Sequence, residues 1–108
     1  MIAKTPKPPY YAVIFSSIHT KVEEGYAEMA ERMHELAQQQ EGFLGMETAR
    51  EKVGITVSYW RDLDSIKKWK MHADHQVAQE NGRAKWYKAY KTRIALVERD
   101  YEFEDGHS

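Results

Sequence analysis

Residues 10–20, YYAVIFSSIHT, are rich in β-branched and aromatic types and read as a strand. Alternation sets Tyr11, Val13, Phe15, Ser17 and His19 on one face and Tyr10, Ala12, Ile14, Ser16 and Ile18 on the other. Large apolar groups stand on both faces, so both faces of the sheet that holds this strand need a cover. A chain of 108 residues forms one small domain, able to bury a real core but with a poor ratio of volume to surface. A partner subunit would relieve that shortage.

The rest of the chain supplies one cover. Residues 23–40 place Tyr26, Met29, Ala30, Met33, Leu36 and Ala37 at the spacing of an amphipathic helix, with Glu23, Glu24 and Glu28 near its positive end. Glu41 and Gly42 break it. Residues 43–51 and 55–60 read as a hairpin that turns at Lys52, Val53 and Gly54. Asp62 or Asp64 caps a second helix whose stripe carries Ile66, Trp69 and Ala73, and a further capping signal at Asp74 predicts a break near His72. That segment is expected to stop at Asn81-Gly82, before a helical turn over 83–90 anchored by Trp86 and Tyr90 and a last strand over 91–101.

The order β-α-β-β-α-β is the ferredoxin-like α+β arrangement, a four-stranded antiparallel sheet with helices on one face. The other face stays bare, and a two-fold homodimer burying sheet against sheet is the simplest cover for it. The expected boundaries are an extended lead-in over 1–9, the domain over 10–103 and a polar tail over 104–108.

Composition removes several classes of function. Sixteen Lys and Arg against 17 Asp and Glu leave a net charge of -1, with no electrostatic excess for nucleic acid or an anionic membrane. With no cysteine there is no disulfide scaffold, thiolate nucleophile or thiolate metal site. The first residues, MIAKTPKPPYY, hold no apolar run of signal-peptide or membrane-helix length, so a cytoplasmic location is the expectation. Nothing matches a phosphate-binding glycine loop, a serine elbow or a dinucleotide fingerprint.

The chemistry-bearing residues gather in TVSYWRDLDSIKKWKMHADHQVAQENG, residues 56–82. Tyr59, Trp60 and Trp69 are what a slot for a planar aromatic needs, and equally what an aromatic core contains. His75, and with a weaker case His72, offers an imidazole that accepts protons near neutral pH; the alternative is a capping or surface histidine paired with Asp74 or a carbonyl. His72, His75, Asp74 and Glu80 lack the rigid spacing that brings three ligands to a metal.

The first strand YYAVIFSS, the helix-end EGFLGMETAR, the strand-to-helix VSYWRDLDSIKKWKMHADH, the stretch QENGRAKWYKAY and the terminal VERDYEF together resemble the antibiotic biosynthesis monooxygenase branch of the dimeric α+β barrel superfamily. The resemblance spans roughly residues 10–103. It implies a homodimer, a cavity between helices and sheet, and either a cofactor-independent monooxygenase of quinols, anthrone-like compounds or other polyphenols, or a member that only holds a small hydrophobic molecule, such as a stress-associated protein. On the first reading His75 is the base, Trp69, Phe15 and Tyr59 are walls, Ser16 or Ser17 donates a hydrogen bond, and His72 lies nearby. Trp69 also matches the helix tryptophan of the haem-degrading branch. That branch has an axial histidine where this chain has Gln79, and a first-strand asparagine where it has Phe15, Ser16 and Ser17, so no cofactor is expected and haem is the lesser possibility.

Overall fold

The first strand forms where its composition predicts, as β1 (Tyr10–His19), and it becomes an inner strand. The structure, a computed structural model, describes residues 2–79 and 82–106. After β1 come α1 (Tyr26–Gln38), β2 (Phe43–Arg50), β3 (Gly54–Trp60), α2 (Leu63–Gln79), the short α3 (Gly82–Trp86) and β4 (Tyr87–Val97). The strands lie in the order β2-β3-β1-β4 and every neighbouring pair is antiparallel. This is the ferredoxin-like α+β fold expected from the sequence.

Register fixes which side chains share a face. Tyr11 stands opposite Trp60 and Leu96, and Val13 opposite Ser58 and Ile94. Directly opposed residues of an antiparallel pair point the same way. Tyr11 and Val13 pack against a core of Ala37, Trp60, Ile66 and Trp69, so the odd-numbered face of β1 is the one that α1 and α2 cover. Met33 and Leu36 from α1, Phe43 and Met46 from β2 and Ala73 from α2 close this core.

Three element boundaries differ from the sequence expectation. Helix α1 begins at Tyr26 rather than near Glu23, because its N-cap Gly25 sits in the left-handed region at φ 81. A side chain there would be strained and would press 3.2 Å from the Trp86 ring. Helix α2 runs unbroken past His72: Asp74 accepts a 2.7 Å hydrogen bond from Lys70 one turn earlier instead of starting a new segment. Its true start is capped as expected, by Asp62 Oδ1 accepting from the Ser65 backbone N–H at 2.8 Å. The predicted stop at Asn81 lies outside the described residues. The last strand spans Tyr87–Val97 rather than 91–101, because its partner β1 ends at Tyr10, opposite Val97, and extends back to His19, opposite Tyr87 through a bulge. Tyr90 is therefore a strand residue, while Trp86 anchors α3 as expected.

The bare face is partly covered by the chain itself. Ala3 donates its backbone N–H to Glu47 at 3.0 Å and packs over Gly45, where a Cβ would come within 2.9 Å of the Ala3 methyl. Thr5 donates to the Tyr10 hydroxyl, which donates to Asp100 at 2.6 Å. The lead-in thus lies across Tyr10, Ala12 and Tyr59. Beyond it, Ile18 and Ile55 remain exposed on the same face.

Candidate functional site

Strand alternation divides the residues that the sequence brought together. Phe15 and Ser17 point to the helix side, whereas Ser16 and Tyr59 point to the opposite face. Tyr59 lies under the lead-in and donates to Glu47 Oε1 at 2.6 Å, edge-on to Tyr10 at 5.8 Å. Burial, and then the Glu47 carboxylate, push its hydroxyl up to about 12. The Tyr59 and Ala3 donors hold Glu47 below its usual range.

Trp69 is 9% exposed and stacks on Trp60 at 5.8 Å and 25°. Phe43 also meets Trp60, edge-on at 5.4 Å. The indole Nε1 of Trp60 donates to Ser58 at 2.8 Å, so this aromatic stack is satisfied as well as filled. A porphyrin pressed between helix and sheet needs the ring face that Trp60 already occupies, so these residues do not fit a haem. His72 and His75 are exposed on α2 and share with Lys68 and Met71 an open groove of about 350 Å³. A second depression of about 220 Å³, at the start of α2, holds Arg61 already paired with Glu41 and Asp62. Among the described residues no group of three His, Asp or Glu is placed to hold a metal ion.

The helix side of the sheet falls into two halves. Over β2, β3 and the start of β1 it is filled by the tryptophan core. Over β4 it is not: Tyr90, Ile94 and Leu96, opposite Ser17, Val13 and Tyr11, are 43%, 53% and 48% exposed. With Phe15 and its partner Thr92 they form an apolar shelf beside the core.

The shelf ends in a knot of aromatic and titratable groups. Phe15 touches Tyr87 edge-on at 5.6 Å and Tyr90 at 5.4 Å. His19 lies 4.2 Å from the Tyr26 ring and 5.5 Å from the Tyr87 ring. Tyr26 is in turn edge-on to Trp86, whose Nε1 donates to the Glu24 carbonyl at 2.9 Å. Thr20 holds the same segment through hydrogen bonds to the carbonyls of Trp86 and Lys85. Burial raises the Tyr87 hydroxyl strongly, and its hydrogen bond with Tyr26 adds to the effect. Arg50, at the end of β2, reaches over β3 and donates to the buried Ser17 hydroxyl at 2.6 Å. It can do so because Gly54, between them, has no side chain: a Cβ there would coincide with the guanidinium.

Of the residues named from sequence, Phe15 and Ser17 therefore belong to this corner, Trp69 to the core beside it, Ser16 and Tyr59 to the far face, and His72 and His75 to the outer surface. His19, Tyr26, Arg50 and Tyr87 were not singled out as site residues, and Tyr90 was expected to anchor a helical turn. The signal for His19 was present, since it follows Phe15 and Ser17 on one strand face. Arg50 carried no such signal, because its reach depends on the register of β2 against β3.

Residues 9–81 match the family described as antibiotic biosynthesis monooxygenase. The chain is 52% identical over 107 residues to the uncharacterized protein YqjZ of Bacillus subtilis (strain 168), covering 97% of this chain and 94% of that one. Among solved structures it superposes on SnoaB, a cofactor-independent oxygenase from Streptomyces nogalater, with TM-score 0.65, 12% identity and coverage of 91% of this chain and 100% of that one. A conserved protein from Methanosarcina mazei Go1 gives TM-score 0.65 at 12% identity over 85% of this chain and 94% of its own. At these identities the solved structures speak for the fold alone.

Proposed function

Because the chain belongs to the antibiotic biosynthesis monooxygenase family, we propose that it is a cofactor-independent monooxygenase of a small hydroxy-aromatic, a quinol, anthrone-like compound or other polyphenol. The observation that carries this reading is the exposed shelf of Tyr90, Thr92, Ile94 and Phe15 on the helix side of the sheet. A flat ring laid there gains apolar burial and ring contacts worth about 0.5–1.5 kcal/mol each. In this apolar setting the substrate gives up a hydroxyl proton, and the resulting anion, stripped of water, transfers an electron to dioxygen. Recombination forms a ring hydroperoxide; loss of water leaves a new C=O. One oxygen atom enters the product and the other leaves as water, so the substrate itself is the reductant and no further one is required.

The protein acts as a homodimer in this proposal, with the exposed Ile18 and Ile55 side of the open face against a second copy. Among the described residues no helix is long and apolar enough to cross a membrane.

Oxygen uptake with a panel of quinols, anthrones and haem tests the reaction. Uptake with a quinol or anthrone, lost in Ile94→Lys, is the expected result; no uptake with any of them overturns it. His75→Gln belongs in the same assay as the test of the surface histidine as base, since full activity in that variant removes His75 from the chemistry. One observation favours a second reading, that of a non-catalytic dimeric binder: Met29 and Trp69 are buried, and Met33 packs beside Trp69 where the family resemblance implies a cavity. Aromatic binding without oxygen uptake is its signature.

A further inference from the structure

We propose that His19 and Arg50 form a proton-accepting, anion-holding pair that binds the ionisable hydroxyl of an aromatic ligand at the inner end of the shelf. The inference rests on the shelf reading above and adds to it the two residues that meet the ligand's hydroxyl oxygen.

Three observations support it. The first is an unmade bond. His19 Nε2 is buried and has no hydrogen-bond partner among the described residues. An unpaired buried polar atom is costly, and buried side-chain polar atoms are nearly all partnered. A ligand hydroxyl arriving there displaces no existing bond. The second is charge. Ser17, 2% exposed, anchors Arg50 Nη2 at 2.6 Å, and Gly54 leaves room for the guanidinium to lie flat over the sheet. The positive charge of Arg50 acts on both His19 and Tyr87. The third is the state of the imidazole. Burial first, and then Arg50, push His19 below its ordinary value, while Glu23 opposes them. Near neutral pH the ring is uncharged and Nε2 can offer a lone pair.

The groups facing His19 come from every side: Glu23 ahead of α1, Tyr26 on α1, Arg50 on β2 and Tyr87 on β4. Tyr87 is not a competing base, because burial and its bond with Tyr26 hold it in its protonated form. The proton of the ligand hydroxyl passes to His19 Nε2, giving an imidazolium and a phenolate, and the Arg50 guanidinium stabilises the phenolate oxygen. Tyr90, exposed and in contact with Phe15 and Tyr87, is the shelf ring that adjoins this end.

The test uses two probes that share the 4-nitrophenyl ring and differ in the ionisable hydroxyl, 4-nitrophenol and its methyl ether 4-nitroanisole, titrated into the full chain and followed by absorbance, with no turnover involved. Wild type is expected to bind nitrophenol at least about tenfold more tightly than nitroanisole, as one hydrogen bond to a charged group supplies, and to show the phenolate band. His19→Gln and Arg50→Gln should each bring that preference down to about twofold while nitroanisole affinity stays unchanged. His19→Asn serves if the glutamine variant fails to show a native circular dichroism spectrum. Equal binding of the two probes by wild type, or a preference that survives both variants, overturns the pair and leaves the shelf standing. If neither probe binds wild type, the pair and the shelf reading fall together.

Discussion

Trp69→Ala separates a tryptophan that packs a core from one that lines a pocket. Its ring is 9% exposed and stacked on Trp60. The groups around the ring come from three different elements: Ala37 on α1, Trp60 on β3 and Ile66 on α2. Walls held by three elements cannot collapse together into the space an alanine would leave, so the loss should reach the usual large-to-small aromatic range of about 3–5 kcal/mol. Part of it, about 0.5–1.5 kcal/mol, is the ring pair with Trp60. A domain of this size has about 5–15 kcal/mol in total, so the variant is expected to fold but with a greatly reduced margin. Urea unfolding followed by far-ultraviolet circular dichroism measures this directly, with an unchanged slope showing that the transition is the same one. A loss below about 1.5 kcal/mol, accompanied by altered affinity for an aromatic probe, would mean that the ring faces an open pocket and that the filled core described above is misassigned.

The remaining predictions address the other elements. Tyr59 is raised to about 12 from 10.0, so the stability it contributes is complete below pH 10 and is lost as pH climbs from there toward 12; in thermal melts Tyr59→Phe should flatten that decline without abolishing it, because Tyr87 is raised too, and an unchanged slope would dissociate Tyr59 from it. Gly54→Ala should cost about 1–3 kcal/mol by forcing the Arg50 guanidinium off Ser17; a loss under about 0.5 kcal/mol in urea unfolding would show that Arg50 swings away freely. Sedimentation should give close to twice the 12.7 kDa chain mass at micromolar concentration, for an interface of at least about 1,000 Å² in total. The double change Ile18→Lys with Ile55→Lys should yield monomer, and monomer mass already in wild type would remove the dimer.

The ferredoxin-like fold was legible in the sequence because it follows from periodicity. Two-sided apolar alternation in residues 10–20, a helical stripe ending at Ala37, and Asp62 ahead of Ile66 and Trp69 are local patterns, and each became the element it specifies. The boundaries that differed, at Glu23, Asp74 and Tyr87, are those where a local signal competed with a neighbour: the Trp86 ring beside Gly25, Lys70 one turn before Asp74, and β1 pairing with residues that read as helical. The site was less legible. Sequence order placed tryptophans and histidines close together between Tyr59 and His75, but the 2-residue period of β3 turned Tyr59 from Trp60, and the helical period of α2 turned His75 from Trp69 and left His72 exposed at the flank of its stripe. Sequence alone therefore determined which strands and helices exist and that one strand needs cover on both faces. Only the tertiary structure decided that Arg50 crosses Gly54 to Ser17 and that His19 is enclosed by Tyr26 and Tyr87, because those contacts join residues 7 to 68 positions apart through strand register and helix docking, which no local pattern encodes.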